Sequence, residues 1–286
     1  MDLQLSGKRI LITGASMGIG AHLAETFAAE NAHLHLTARS TDKLEELKAR
    51  ITVSHDVEVT LHSSDLAQRG ACELLSEAVG SVDVLVNNAG AIPSGSLWDV
   101  DEEAWRKGWD LKVMGYINLC RLFYKKMQTQ GEGVIINNIG NGGEVFDANY
   151  IAGTTGNASL MAFTRALGGN SLADNIRVVG VNPGPVDTDR IYNMLKKRAA
   201  SQLGDENKYK ELEKISKLVP NGYVATPDEF IQMIICKIVN EHVPYMDVTW
   251  MYQYIKSFIR WECSENIFTN IKCTLRNTFD DMMYTT

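Results

Sequence analysis

A doubly wound α/β domain on a parallel sheet is the fold that the sequence predicts, from three observations. Short β-type runs recur along the chain, helical patterns fill the gaps between them, and a glycine-punctuated turn follows the first run. Parallel neighbours need a crossover connection, and a helix supplies one while covering an apolar face of the sheet. The β-type runs span residues 8–13, with Ile10-Leu11-Ile12 inside, then 33–38, 57–62, 82–87, 134–139 and 176–182. Helical spacing spans residues 21–30, 41–51, 68–78, 102–130 and 151–172. Strand and helix alternating in this way give a three-layer α/β/α arrangement, with ligands expected beyond the carboxyl ends of the strands.

At 286 residues one large core is expected, because α/β folds reach this length as a single unit. The formal charge of −7 argues against a nucleic-acid partner held through phosphates, and a small-molecule substrate fits better. The five cysteines, Cys72, Cys120, Cys236, Cys263 and Cys273, show neither metal-ligand spacing nor the density of a disulfide scaffold, so buried thiols and no metal are expected. The polar start leaves no room for a charged leader plus an apolar stretch, which points to a cytoplasmic protein without membrane attachment.

Between Pro185 and Pro227 the pattern turns into a charged helical stretch, residues 188–218, where such sheets place their ligands. A lid over about 187–218 is one reading, and a solvated pair of surface helices is the other. After Gly222 no glycine occurs, and from Pro244 the apolar residues keep neither the helical nor the strand period. Residues 1–243 are therefore taken as the domain and 244–286 as an atypical tail.

The turn Gly14-Ala15-Ser16-Met17-Gly18-Ile19-Gly20 leads from a strand into a helix, which sets backbone N–H groups and the helix dipole against a phosphate. Gly14 permits the sharp turn, Gly18 the approach of the backbone to a pyrophosphate, and Gly20 the close packing of helix on strand. The second run ends Ala38-Arg39-Ser40. A site selecting NAD commonly places a carboxylate there for the ribose 2′-hydroxyl, whereas an arginine answers a 2′-phosphate. With Ala38 removing the carboxylate and Arg39 supplying the cation beside Ser40, NADP(H) is expected in preference to NAD(H). An arginine that merely faces solvent is the plain alternative.

These residues, together with three motifs farther along the chain, resemble the short-chain dehydrogenase/reductase family, whose domain is a Rossmann fold. Thr13 to Gly20 matches its TGxxxGxG turn, Asp65-Leu66 the pair that touches the adenine, and Asn87-Asn88-Ala89-Gly90 its NNAG motif. Asn182-Pro183-Gly184-Pro185-Val186-Asp187-Thr188 matches the PG motif whose threonine holds the nicotinamide carboxamide. The resemblance covers most of residues 5 to about 230 and implies hydride transfer between the nicotinamide and a carbonyl or alcohol of a small organic substrate. It implies a homodimer or homotetramer as well, for which residues 111–127 and 160–172 offer apolar faces. Burial within one subunit explains those faces equally.

In that family an Asn, a Ser, a Tyr and a Lys conduct the reaction. The tyrosine is the acid or base, the lysine lowers its pKa, the serine orients the substrate oxygen, and the asparagine holds a relay water. Alignment through Phe163-Thr164-Arg165 and Asn175-Ile176-Arg177-Val178 puts Gly153 at the Tyr position, Asn157 at the Lys position, Gly140 at the Ser position and Lys112 at the Asn position. Lys and Asn have traded places, and Tyr150 stands just before the vacated Tyr position. The expectation is a rearranged site in which Lys112 lowers the pKa of Tyr150, the phenol donates the proton, and Asn138 or Asn141 takes the orienting role. The alternatives are a Tyr150 that packs in a loop and a catalytically silent NADP(H)-binding sensor or scaffold.

Overall fold

In the computed structural model, which describes residues 5–211, 224–231 and 234, the β-type runs pair into one parallel sheet. The strands are β1 (Arg9–Thr13), β2 (His33–Ala38), β3 (Val59–Ser63), β4 (Val84–Asn87), β5 (Gly133–Asn138) and β6 (Ile176–Val181), in the order β3-β2-β1-β4-β5-β6. Every residue of β4 and β5 is buried, as a strand covered on both faces requires, and this is why Val84-Leu85-Val86 and Val134-Ile135-Ile136 are apolar without alternation, ahead of the buried Asn87, Asn137 and Asn138. From β1 the chain winds outward to β3, then returns to place β4 on the other side of β1. The loops after β1 and β4 diverge there, opening the crevice in which doubly wound folds bind ligands.

The flanking helices are α1 (Gly18–Ala29), α2 (Thr41–Ser54), α3 (Ala71–Val79), α4 (Glu102–Trp109), α5 (Gly115–Gln130), α6 (Ile151–Ser171) and α7 (Asp189–Leu203). On one face Leu75 and Val79 of α3 and Leu119, Phe123 and Met127 of α5 bury against Leu11, Leu85 and Ile135 of the sheet. The apolar face of residues 111–127 is thus largely consumed inside the subunit, and Leu160 of α6 is likewise fully buried. Cys72 and Cys120 are buried free thiols; Cys236, Cys263 and Cys273 lie outside the described residues.

Two expected helices are corrected. Residues 102–130 are not one helix: α4 and α5 are separated by a π-helical turn, Asp110–Met114, which holds Lys112. The helix expected over 188–218 is broken after Leu203, because Gly204 adopts φ +70, a left-handed conformation that terminates helices; a short 3-10 turn, Glu206–Lys208, comes next, and residues 209–211 are helical again. Residues 212–218 of the expected lid and the whole tail, 244–286, lie outside the described residues. Residues Met1–Asp247 form one compact unit and Val248–Thr286 a second. Among the described residues no helix is long and apolar enough to cross a membrane.

Candidate active site

The glycine turn is built for close approach. A Cβ on Gly20 would stand 2.2 Å from the Gly14 carbonyl oxygen, and one on Gly14, at φ +65, would stand 2.8 Å from the Cα of Ala89. α1 begins at Gly18 with no side chain capping it and no acidic residue in its first turn, so its leading N–H groups are left for an anion. Ser16, Met17 and Ile19 complete this loop. Arg39 is exposed at the end of β2 without a partner among the described residues, and Ser40 is the N-cap residue of α2. Asp65 accepts from the Ala67 N–H at 3.2 Å, while the Leu66 side chain is buried in the core. On the far wall, the Cγ2 of Thr188 lies 3.7 Å from where a Gly18 Cβ would be. An uncapped helix start, glycines with no space for a side chain and an unpaired arginine together fit a phosphorylated dinucleotide.

Hydrogen bonds tie this loop to the ends of β4 and β5. The Thr13 hydroxyl accepts from the N–H groups of Asn88 and Ala89 at 2.8 and 3.0 Å, clasping β1 to β4 across the switch point. Asn88 Nδ2 donates to the carbonyls of Thr13 and Gly14 at 3.0 and 3.2 Å, and its Oδ1 accepts from Asn138 Nδ2 at 2.8 Å. Beneath them Asn87 donates to Asn137 Oδ1 and Asn137 to the Thr164 hydroxyl, both at 2.9 Å, a buried ladder crossing β4, β5 and α6.

The swapped pair meets. Lys112 is only 7% exposed. Its Nζ donates to Asn157 Oδ1 at 2.9 Å and to the Ile139 carbonyl. Burial, helped by the charge of Arg190, pushes the amine down from 10.5 to about 7. One turn on, Tyr116 donates its hydroxyl to the Asn138 carbonyl at 2.9 Å, and burial raises that phenol, keeping it a neutral donor. Gly140, at φ +117, leaves space beside Asn157: a Cβ there would sit 3.3 Å from Asn157 Nδ2.

Tyr150 enters the gap left by Gly153. A Cβ on Gly153 would fall 2.0 Å from the Cζ of Tyr150, so the ring lies over the glycine and occupies the room a side chain would take. Beside Gly142, Asn157 Nδ2 and Tyr150 Cε1 flank one point at 3.1 and 3.4 Å. The ring also packs against the cluster of Ile92, Val100 and Ala152, and its hydroxyl makes no hydrogen bond to a described residue, Lys112 included. Parallel bridging between Gly95 and Tyr150 fixes the loop from which it comes.

The structure therefore gathers Lys112, Asn157 and Tyr150, and places Asn138 with Asn88. Asn141 is held through its backbone, its N–H donating to the Pro183 carbonyl at 2.9 Å, and its Nδ2 lies 3.6 Å from where a Gly184 Cβ would be. The buried Oδ1 of Asn138 has no hydrogen-bond partner among the described residues. Val186 bridges Ala225, steadying the loop before Thr188. Sequence reading missed Thr13, Tyr116 and Arg190. The first two carried a signal, Thr13 as the residue entering the glycine turn and Tyr116 as the aromatic one helical turn after Lys112. For Arg190 the signal was only a basic residue two positions beyond Thr188.

A dinucleotide-binding crevice closed at its inner end by protonatable groups defines a class of oxidoreductases. The chain belongs to the short chain dehydrogenase family, whose sequence profile matches residues 8–199. It is 28% identical over 236 residues to a 2-keto-3-deoxy-L-fuconate dehydrogenase of Xanthomonas campestris pv. campestris, covering 82% of this chain and 75% of that protein. A probable galactose dehydrogenase of Rhizobium meliloti is 31% identical over 191 residues, 65% of this chain and 74% of the relative. L-Sorbose reductase from Gluconobacter frateurii, solved with NADPH and L-sorbose, superposes with a TM-score of 0.76 at 31% identity, covering 86% of this chain and 94% of that one.

Proposed function

We propose that the chain is an NADP(H)-dependent oxidoreductase acting on a carbonyl or alcohol of a small organic substrate, with a rearranged proton-transfer site. The observation that carries the reading is the meeting of Lys112 and Asn157, hydrogen-bonded at 2.9 Å, beside a tyrosine ring lodged over Gly153. When bound, the nicotinamide supplies or accepts the hydride at the carbonyl carbon. Protonation of the oxygen falls to the chain's own groups, with the Tyr150 hydroxyl as the donor and Lys112 behind it. An amine that titrates near neutrality exchanges protons in either direction of the reaction, which suits it to recharge the phenol. Asn157 fixes the amine in place, and Asn138 and Asn141 flank the space where the substrate oxygen is oriented.

Gly14, Ser16, Met17, Gly18, Ile19 and Gly20 hold the pyrophosphate, Arg39 and Ser40 the 2′-phosphate, Asp65 and Leu66 the adenine end, and Asn88, Ala89 and Gly90 the ribose. Pro183, Gly184, Val186 and Thr188 hold the nicotinamide end. The 2-keto-3-deoxy-L-fuconate dehydrogenase and L-sorbose reductase relatives support an oxidoreductase. A cytoplasmic location and a homodimer or homotetramer on α5 and α6 complete the reading, the latter checked by sedimentation.

Titration calorimetry with NADPH and NADH, followed by absorbance at 340 nm across a panel of ketones, aldehydes and alcohols, tests the reading. Tighter NADPH binding and turnover of at least one class are expected. Cofactor binding without turnover of any class would make the chain a silent binder, and the absence of binding would remove the dinucleotide site.

A further inference from the structure

Arg190 is the second residue of α7, two positions beyond Thr188. Its guanidinium reaches back across the crevice, where Nη1 donates to the Gly90 carbonyl at 2.8 Å, joining the loop after β6 to the loop after β4. Gly90 rests on the Lys112 stem, since a Cβ there would stand 2.9 Å from the Lys112 Cδ. The exposed Arg190 guanidinium is thus anchored beside the Lys112 stem, with the glycine turn close by, since a Cβ on Gly14 would stand 2.8 Å from the Cα of Ala89. Its charge acts on both Lys112 and Tyr116.

Two basic groups therefore share one cleft, and no described carboxylate pairs with either. Among the described residues Lys112 donates to an amide oxygen and a carbonyl, and Arg190 to a carbonyl. The acidic groups nearest in sequence are Asp110 on the π turn and Asp187 and Asp189 around the start of α7; all three are exposed and none pairs with these bases. Asp147, on the loop that leads to Tyr150, is held by Arg198 of α7. A guanidinium carries five N–H donors in a planar fork, and among the described residues Nη1 alone is engaged here. Such a fork answers a planar anion with two parallel, charge-assisted bonds.

We propose that Arg190 recognises a carboxylate borne by the substrate near its reacting carbon, so that the preferred substrates are keto acids and the corresponding hydroxy acids. The inference rests on the oxidoreductase reading above and adds the substrate's charge to it. The same fork would also answer the pyrophosphate of the cofactor, and the experiment separates the two sources.

Wild type, Arg190→Leu and Arg190→Lys are compared on matched pairs of 2- and 3-keto acids and their methyl esters, with NADPH consumption followed at 340 nm. In parallel, calorimetry measures NADP⁺ binding and then binding of the same keto acids to the NADP⁺-loaded protein. The expected result is a wild-type preference for acid over ester of about 100-fold in kcat/KM, lost in Arg190→Leu through the acids alone and partly restored in Arg190→Lys. NADP⁺ affinity should change less than about threefold. Equal use of acid and ester by wild type overturns the inference. So does an equal loss on both in Arg190→Leu accompanied by weakened NADP⁺ binding, which assigns the arginine to the pyrophosphate. If neither acid nor ester is turned over, the oxidoreductase reading is what fails. The binding arm then decides Arg190: keto-acid binding that vanishes in Arg190→Leu supports it, and no binding to wild type overturns it.

Discussion

Lys112 donates to Asn157 at 2.9 Å, linking the π turn before α5 to the second turn of α6 across 45 residues of sequence. The family resemblance implies an asparagine at the first position and a lysine at the second. The contact stands with donor and acceptor exchanged. The positive charge has moved from α6, where it would sit four residues beyond the Tyr position, to a different element, and the tyrosine has moved as well, by three residues. On the proposed function, proton chemistry at this end of the cleft depends on the environment of Lys112.

That environment is measurable through stability. Lys112 titrates at about 7 when folded and near 10.5 when free, so between those values the unfolded chain holds a proton that the folded chain lacks, and stability rises with pH. Below about 7 both states are protonated and the full cost of charging the buried amine is present. In Lys112→Met this contribution disappears, leaving a constant offset from the unpaired Ile139 and Asn157 oxygens. Denaturant melts of both proteins from pH 6 to pH 10 should show wild type gaining on the variant as pH rises. A gap that stays constant over that range would contradict a depressed lysine.

Tyr150 and Gly153 should behave as one unit. Removing the hydroxyl in Tyr150→Phe is expected to lower kcat by about 10² or more with little change in KM, as loss of a general acid does. Alanine at 153 would place a methyl 2.0 Å from the ring's Cζ and expel the phenol. Gly153→Ala should therefore reproduce the kcat defect while the hydroxyl is still present. Full turnover in both variants would take Tyr150 out of the reaction.

Gly20→Ala drives a methyl to 2.2 Å from the Gly14 oxygen, a backbone atom that cannot step aside without opening the turn. A loss of about 3 kcal/mol in folding stability is expected, with NADPH binding abolished in calorimetry at temperatures where the variant is still folded.

If Arg39 reads the 2′-phosphate as proposed, Arg39→Ala should weaken NADPH by about 10- to 100-fold and leave NADH nearly unchanged, since the exposed side chain has no hydrogen bond or ion pair to a described residue to lose. Dissociation constants for both cofactors check this, and a parallel fall in both affinities would point to a general effect on β2.

The sheet was legible because its demands are local and repeated. Strands such as β4 and β5, covered on both faces, carry unbroken apolar stretches, Val84-Leu85-Val86 and Val134-Ile135-Ile136, and each run in sequence became a strand. The π turn was not legible, since Asp110–Met114 contains ordinary helix-compatible residues. Its Lys112 is held by groups 27 and 45 residues away, which no local pattern carries. The stop at Gly204 could have been read, because a glycine after a charged helical run is a common terminator. Tyr150 was found only because the family alignment left Gly153 empty, and that its ring fills the space took a structure to see. Arg190 escaped because its partner is a backbone carbonyl 100 residues distant, and backbone oxygens leave no mark in a sequence.

Asn88 holds Thr13 and Gly14 with one end of its amide and Asn138 with the other. The glycine turn and the β5 end of the crevice are consequently joined through one amide, so cutting it would leave the Thr13 clasp to hold β1 to β4 and free the Asn138 end of β5. Redesign of coenzyme preference without disturbing turnover has to begin at the rim, around Arg39, and leave this rivet alone.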